Sequence, residues 1–165
     1  MRNVIWAALF ALTLTFFSSS DAKAGDYDDL IPALDSALAD SVPLDSQVVY
    51  LDFWASWCVP CRKSFPWMNK LQERFRDQGL RVVAINLDRD RKAAEKFLQK
   101  NGTALSVIFD PKGHFAKRLH LEVMPTSFVF DRNGTLQRTN IGFDIDNAAD
   151  TNDFIAALLK KEAAR

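Results

Sequence analysis

The sequence predicts an α/β protein with a central mixed β-sheet flanked by helices, and three observations carry that prediction. Strand-like and helix-like stretches alternate from Gln47 to Phe109, the pattern that builds parallel strands under helices. The first strand, Gln47 to Trp54, is almost continuously apolar, as a strand covered on both faces is. After residue 126 the alternation gives way to two strands around Asn133-Gly134 and a closing helix, which adds antiparallel strands to the parallel ones. At 165 residues, 48% of them hydrophobic, the chain suits one domain. Its formal net charge of zero gives no basic field for nucleic acid or for an anionic membrane surface.

Each element has its own justification. Tyr27 to Asp40 sets Leu30, Ile31, Leu34 and Leu38 at helical spacing, with Pro32 in the first turn, where proline is tolerated. A loop at Pro43 and Asp45-Ser46 leads into the first strand. Val59 to Asp77 is a helix with Phe65, Met68, Leu71 and Phe75 on one stripe. Pro66 should kink it and Gly79 should close it. Leu80 to Leu87 is the second strand, Arg89 to Asn101 a helix stopped by Gly102, and Leu105 to Phe109 the third strand. Asp110-Pro111-Lys112-Gly113 is a turn, with proline setting φ and glycine supplying a positive φ. His114 to His120 is a short helix. Ser127 to Phe130 and Thr135 to Ile141 form a hairpin, and Asn152 to Lys161 a last helix burying Phe154, Ile155, Leu158 and Leu159.

Residues 1–24 stand outside this fold. Arg2 precedes an apolar run from Val4 to Phe17, and Ala22-Lys23-Ala24 has the small-x-small form of a cleavage site. That is the layout of a secretory signal peptide cleaved after Ala24, leaving residues 25–165 as the folded domain. The run falls short of the ~20 apolar residues that span a bilayer. Membrane association is expected only if this segment stays uncleaved as an anchor.

Export gives the two cysteines their meaning. Cys58 and Cys61 are the only ones in the chain. Outside the cytosol disulfides form and persist, but a structural staple gains most from closing a long loop, and this pair closes a very short one. The stretch Trp54-Ala55-Ser56-Trp57-Cys58-Val59-Pro60-Cys61-Arg62 links the end of a buried strand to the start of a helix. Cys58 then sits at the helix N-cap, beside unpaired N–H groups and the positive end of the dipole, which favour thiolate over thiol. Cys61 lies one turn on, inside the helix and less open to water. Two roles follow: Cys58 attacks a substrate disulfide, and Cys61 resolves the mixed disulfide. Pro60 suits the first turn, where its missing N–H needs no partner. Zinc is disfavoured, because it takes about four ligands and His114 and His120 lack ligand spacing. Copper(I) on two thiolates is the rival reading, as soft ligands suit it. Trp57 and Trp67 are expected to flank the thiols as an apolar landing patch.

Asp52 to Cys61, read Asp-Phe-Trp-Ala-Ser-Trp-Cys-Val-Pro-Cys, resembles the active-site segment of the thioredoxin superfamily. Met124-Pro125-Thr126 resembles that superfamily's cis-proline loop, and Val83 to Asp88 matches the strand between them. Asp90 to Gly113 and Asp131 to Gly134 are similar to the periplasmic TlpA/ResA-like branch. The resemblance covers Val48 to Leu159. It implies a thioredoxin-like fold and a periplasmic thiol–disulfide oxidoreductase. It also implies a cis Pro125 that sets the Met124 backbone against Cys58. Trp57, Pro60, Met124 and Thr126 would then meet the substrate, with no cofactor and no metal. Two departures stand out. Ser64 occupies the position where this branch often has a glutamate, and Asp52 stands where it often has an apolar or amide residue.

Asp52 shares a strand face with Val48, Tyr50 and Trp54 by period-two alternation, so it should be buried. Burial raises a carboxyl pKa, and such a group near Cys61 is suited to take its proton. The plainer alternative is a buried carboxyl satisfied by hydrogen bonds. Val59-Pro60 resembles the dipeptide of reducing members. The expected activity is therefore disulfide reduction in protein substrates, sustained by a membrane electron donor of the DsbD type. Disulfide oxidation or isomerisation is the alternative.

Overall fold

The computed structural model describes Tyr27, residues 29–38 and residues 43–163. The segment read as a signal peptide lies outside the described residues. In chain order the elements are α1 (Leu30–Ala37), β1 (Val48–Trp54), α2 (Val59–Phe75), a 3-10 turn (Arg76–Gln78), β2 (Leu80–Asn86), α3 (Arg91–Asn101), β3 (Ser106–Phe109), α4 (His114–Arg118), β4 (Thr126–Phe130), β5 (Leu136–Ile141) and α5 (Ile145–Ala163). The five strands form one sheet in the order β3-β2-β1-β4-β5. β1, β2 and β3 run parallel, and β4 and β5 are antiparallel to their neighbours. This is the expected mixed sheet, with the apolar β1 at its centre and buried along its whole length.

Side-chain alternation along β1 splits the core in two. Val48, Tyr50 and Trp54 pack with Phe65, Met68 and Leu71 of α2, Ala94 of α3 and Ile155 of α5. Val49, Leu51 and Phe53 pack on the other face with Leu30 and Leu34 of α1 and with Phe115 and Leu119 around α4. So α2, α3 and α5 cover one face, and α1 and α4 the other.

Three elements depart from the sequence reading. α1 is shorter than Tyr27 to Asp40, since Leu38 already has extended backbone, its N–H bonded to the Leu34 and Asp35 carbonyls. α2 ends at Phe75, short of the expected Asp77, and a 3-10 turn follows; Gly79 closes that turn at φ 94°, as expected. α5 begins at Ile145, well ahead of the predicted Asn152. Asp144 caps it, accepting the Asn147 backbone N–H at 2.7 Å. The added turns carry Asp146, Asn147 and Asp150, which lack the apolar stripe that periodicity detects.

One buried polar residue repairs the sheet. β3 pairs only with Val83 to Asn86 of β2, which leaves the start of β2 without a neighbour on that side. Gln72 of α2 fills the gap, its amide donating to the Leu80 carbonyl at 3.2 Å and accepting from the Val82 N–H at 2.7 Å. A buried strand edge needs such partners.

Candidate active site

The thiol pair sits where β1 hands over to α2. Cys58 is the N-cap of α2, with extended backbone at φ −77° and ψ 105°. Its Sγ accepts the Cys61 backbone N–H at 3.3 Å, in the place where a capping side chain takes up one of the free N–H groups of a first turn. Cys58 and Cys61 are joined as a disulfide, with their Cα atoms 5.3 Å apart. Cys58 is 6% exposed and Cys61 not at all. Pro60 lies in the first turn, as its missing N–H allows. The next turn adds Ser64, buried, its hydroxyl donating to the Cys61 carbonyl at 2.9 Å.

The strand-to-helix loop is braced from β2. Asp88 accepts the Ser56 N–H at 2.8 Å and the Ser56 hydroxyl at 2.9 Å. It also accepts the Asn86 amide at 2.8 Å. The Cys58 N–H then donates to the Ala55 carbonyl at 3.0 Å. Asp88 is buried, and its carboxyl accepts from three donors. The sequence reading passed over it as the end of a matched strand. The available signal was a pair of polar residues, Asn86 and Asp88, closing an otherwise apolar strand beside the thiol loop.

The cis-proline loop takes its expected form, with the Met124–Pro125 peptide bond cis. Met124 packs against the core cluster that contains both cysteines. Thr126 donates its hydroxyl to the Val123 carbonyl at 2.9 Å, and the Pro125 carbonyl accepts from Gly142 N–H at 2.8 Å. Around the thiols, Trp57 is 66% exposed, and Val59 and Val123 are exposed too. Trp67 departs from expectation. It lies nine residues along α2 from Cys58, about 13 Å of helix, and packs between Tyr50 and Phe143 with ring centroids 5.6 Å from each. It belongs to the core under the helix, and Trp57 alone of the two stands at the thiols. Beneath Cys61, the rings of Trp54, Phe65 and Phe97 pack on one another at 4.9 to 5.1 Å.

Asp52 is buried at 2% exposure, on the face of β1 that α2 covers. Its Oδ1 has no hydrogen-bond partner. Burial pushes its carboxyl well above the ordinary range, because a charge in an apolar interior loses its hydration. Tyr50, on the same face, is likewise pushed up by burial and by Asp52, with Ser127 and Arg138 pulling the other way. His114 and His120 fall at the ends of α4, whose Phe115 and Leu119 pack against the sheet face opposite to the thiols. Among the described residues no group of three or more His, Cys, Asp or Glu side chains is placed to hold a metal, and no helix is long and apolar enough to cross a membrane.

This geometry has counterparts. The Redoxin family profile matches residues 29–158. Sporulation thiol-disulfide oxidoreductase A of Bacillus subtilis is 30% identical over 105 residues, covering 62% of this chain and 64% of the relative. Thiol-disulfide oxidoreductase ResA of Geobacillus kaustophilus is 30% identical over 94 residues, covering 57% of this chain and 54% of the relative. The chain thus spans between half and two thirds of the length of these curated relatives. Among solved structures, a candidate DsbE-type thiol:disulfide interchange protein from Chlorobium tepidum is 45% identical with a TM-score of 0.69, covering 70% of this chain and 82% of that one. Cysteine placement, cis-proline loop, sheet order and family match agree: the chain belongs to the Redoxin family, in the TlpA/ResA-like branch of the thioredoxin superfamily.

Proposed function

We propose that the chain is an exported thiol–disulfide oxidoreductase that reduces disulfides in periplasmic proteins. The observation that carries this reading is the asymmetry of the pair. Cys58 reaches the surface with the Cys61 N–H aimed at its sulfur, and Cys61 is sealed behind it. In the reduced form the Cys58 thiolate attacks a substrate disulfide, and the first substrate sulfur leaves and takes a proton. Cys61 gives its proton to the Asp52 carboxylate and attacks Cys58 Sγ. The second substrate sulfur leaves, and the Cys58–Cys61 disulfide forms. Two electrons pass to the substrate. A dithiol donor returns them, expected to be a membrane protein of the DsbD type. Trp57, Pro60, Met124 and Thr126 frame the ground that an extended substrate strand would cover, pairing with the Met124 backbone.

Insulin reduction with dithiothreitol tests the roles, and titration against glutathione tests the direction. Cys58→Ser should abolish turnover, and Cys61→Ser should accumulate mixed disulfides on Cys58. A Cys58→Ser variant that traps substrate would reverse the two roles. A reductase should have a potential near the thioredoxin value of about −270 mV, whereas one near about −120 mV would make the protein an oxidase.

A further inference from the structure

Asp52 is 2% exposed, so its proton must enter and leave through the interior of the protein. The register of the sheet gives one direction. Asp52 of β1 stands opposite Ser127 of β4, and Ser127 stands opposite Asn140 of β5. Residues directly opposite on antiparallel strands share a face, with Cβ atoms about 4.5–5.5 Å apart. A row of polar side chains therefore runs from the centre of the sheet to its edge. On the other side Asp52 stands opposite Ala84, and Ala84 opposite Val107, neither of which can carry a proton.

The row is held in a definite orientation. Arg138 Nε donates to Asn140 Oδ1 at 2.7 Å, which turns the Asn140 amide nitrogen towards Ser127, and that nitrogen donates to Ser127 Oγ at 3.1 Å. Ser127 therefore accepts from the edge, and its single O–H is left to donate inward, where the Tyr50 hydroxyl is a partner and Asp52 stands opposite. Beside it lies a cavity of ≈ 10 Å³, lined by Tyr50, Ser127, Asn140 and Thr151 among others. That is about the room one water needs, with the polar partners that would hold it. The charged and titratable groups facing this row are Tyr50 and Asp52 on β1, Arg138 on β5 and Asp150 on α5, the last paired with Arg138. Cys61 of α2 belongs to the core cluster on the same sheet face.

We infer that Ser127, oriented by Asn140, passes the proton of Asp52 to and from solvent through this one-water cavity, which makes Ser127 and Asn140 positioning residues for the Cys61 half of the reaction. The transfer balances. The Asp52 acid gives its proton to Ser127 Oγ as the serine hydroxyl gives its own to the water. Asp52 is left as carboxylate, the serine is unchanged, and no electrons move. The inference rests on Asp52 serving as the proton acceptor for Cys61.

The reduced protein mixed with 5,5′-dithiobis(2-nitrobenzoate) reads both halves in one trace. The first thionitrobenzoate released reports attack by Cys58, and the second reports resolution by Cys61. Ser127→Ala should slow the second phase by about tenfold, a part of the 10²–10⁴ that positioned proton transfer provides, and leave the first unchanged. Its solvent deuterium isotope effect should rise, and Ser127→Thr, which keeps the hydroxyl, should restore the rate. The double variant with Asp52→Asn should be no slower than Asp52→Asn alone, as for residues acting in one path. Asn140→Leu, at the partly exposed edge, gives the same test should Ser127→Ala unfold. A slow second phase in Asp52→Asn with a normal one in both Ser127→Ala and Asn140→Leu overturns the route and keeps Asp52. A normal second phase in Asp52→Asn removes the acceptor itself. Additive slowing in the double variant also overturns the route.

Discussion

At the scale of single residues, the proposed chemistry rests on two side chains that the core treats differently. Cys58 costs the fold little, because its sulfur takes the place of a capping oxygen. Asp52 costs it more, because a buried carboxyl with an unpaired oxygen stays charged only at the expense of stability. The sign of the resulting pH dependence follows from the raised carboxyl. Below its ordinary value of about 4, folded and unfolded chains both hold the proton, and nothing is lost. As pH rises from there, the unfolded chain releases it first, and stability falls until the pH passes the raised folded value. Asp52→Asn should abolish that decline, so urea melts of variant and wild type should diverge with rising pH and favour the variant. Parallel curves from pH 4 to 9 would mean that Asp52 titrates alike in the folded and the unfolded chain, so that burial does not raise its carboxyl. The places of Cys58 and Cys61 at the start of α2, the burial of Asp52 and the cis form of Pro125 were legible in the sequence, because local spacing, strand alternation and a short motif specify them. Asp88 and Ser127 were not, because their partners come from strands distant in the chain.

At the scale of elements, the β1–α2 loop holds Cys58 only as well as Asp88 holds the loop. Three donors converge on that carboxylate. Asp88→Ala would leave them to water or unpaired, at a cost of about 2 kcal/mol or more. It should also slow the first thionitrobenzoate phase rather than the second, since Cys58 is the residue the loop aims. A normal first phase in a destabilised variant would reduce Asp88 to a purely structural part. The element boundaries show what periodicity reads well. Apolar stripes located β1, α2, β2 and the buried half of α5 closely. The first turns of α5 are polar, announced only by the cap at Asp144, and Trp67 was misassigned because an aromatic near a motif reads the same whether it faces solvent or core.

At the scale of the whole molecule, the layering places thiols, buried acid and polar row on one sheet face and gives the other face to α1 and α4. The mixed sheet was legible because its parallel and antiparallel halves have different connections. The short β3 was legible to within one residue, but Gln72 standing in for the missing strand was not. α1 is a structural cover. Leu30 and Leu34 are fully buried, at about 2 kcal/mol each. A chain beginning at Pro43 should lose about 4 kcal/mol in a urea melt and keep its thiol kinetics while folded. Unchanged stability would sever α1 from the core. The placement of the tryptophans has an optical consequence. Trp54 is buried in an aromatic cluster, Trp67 is wedged against Tyr50 and Phe143, and Trp57 stands in water beside the disulfide. A partner that settles over the thiols shifts the emission of Trp57 towards the blue and leaves the two inner indoles where they are, so the bound fraction can be followed by colour with no dye attached.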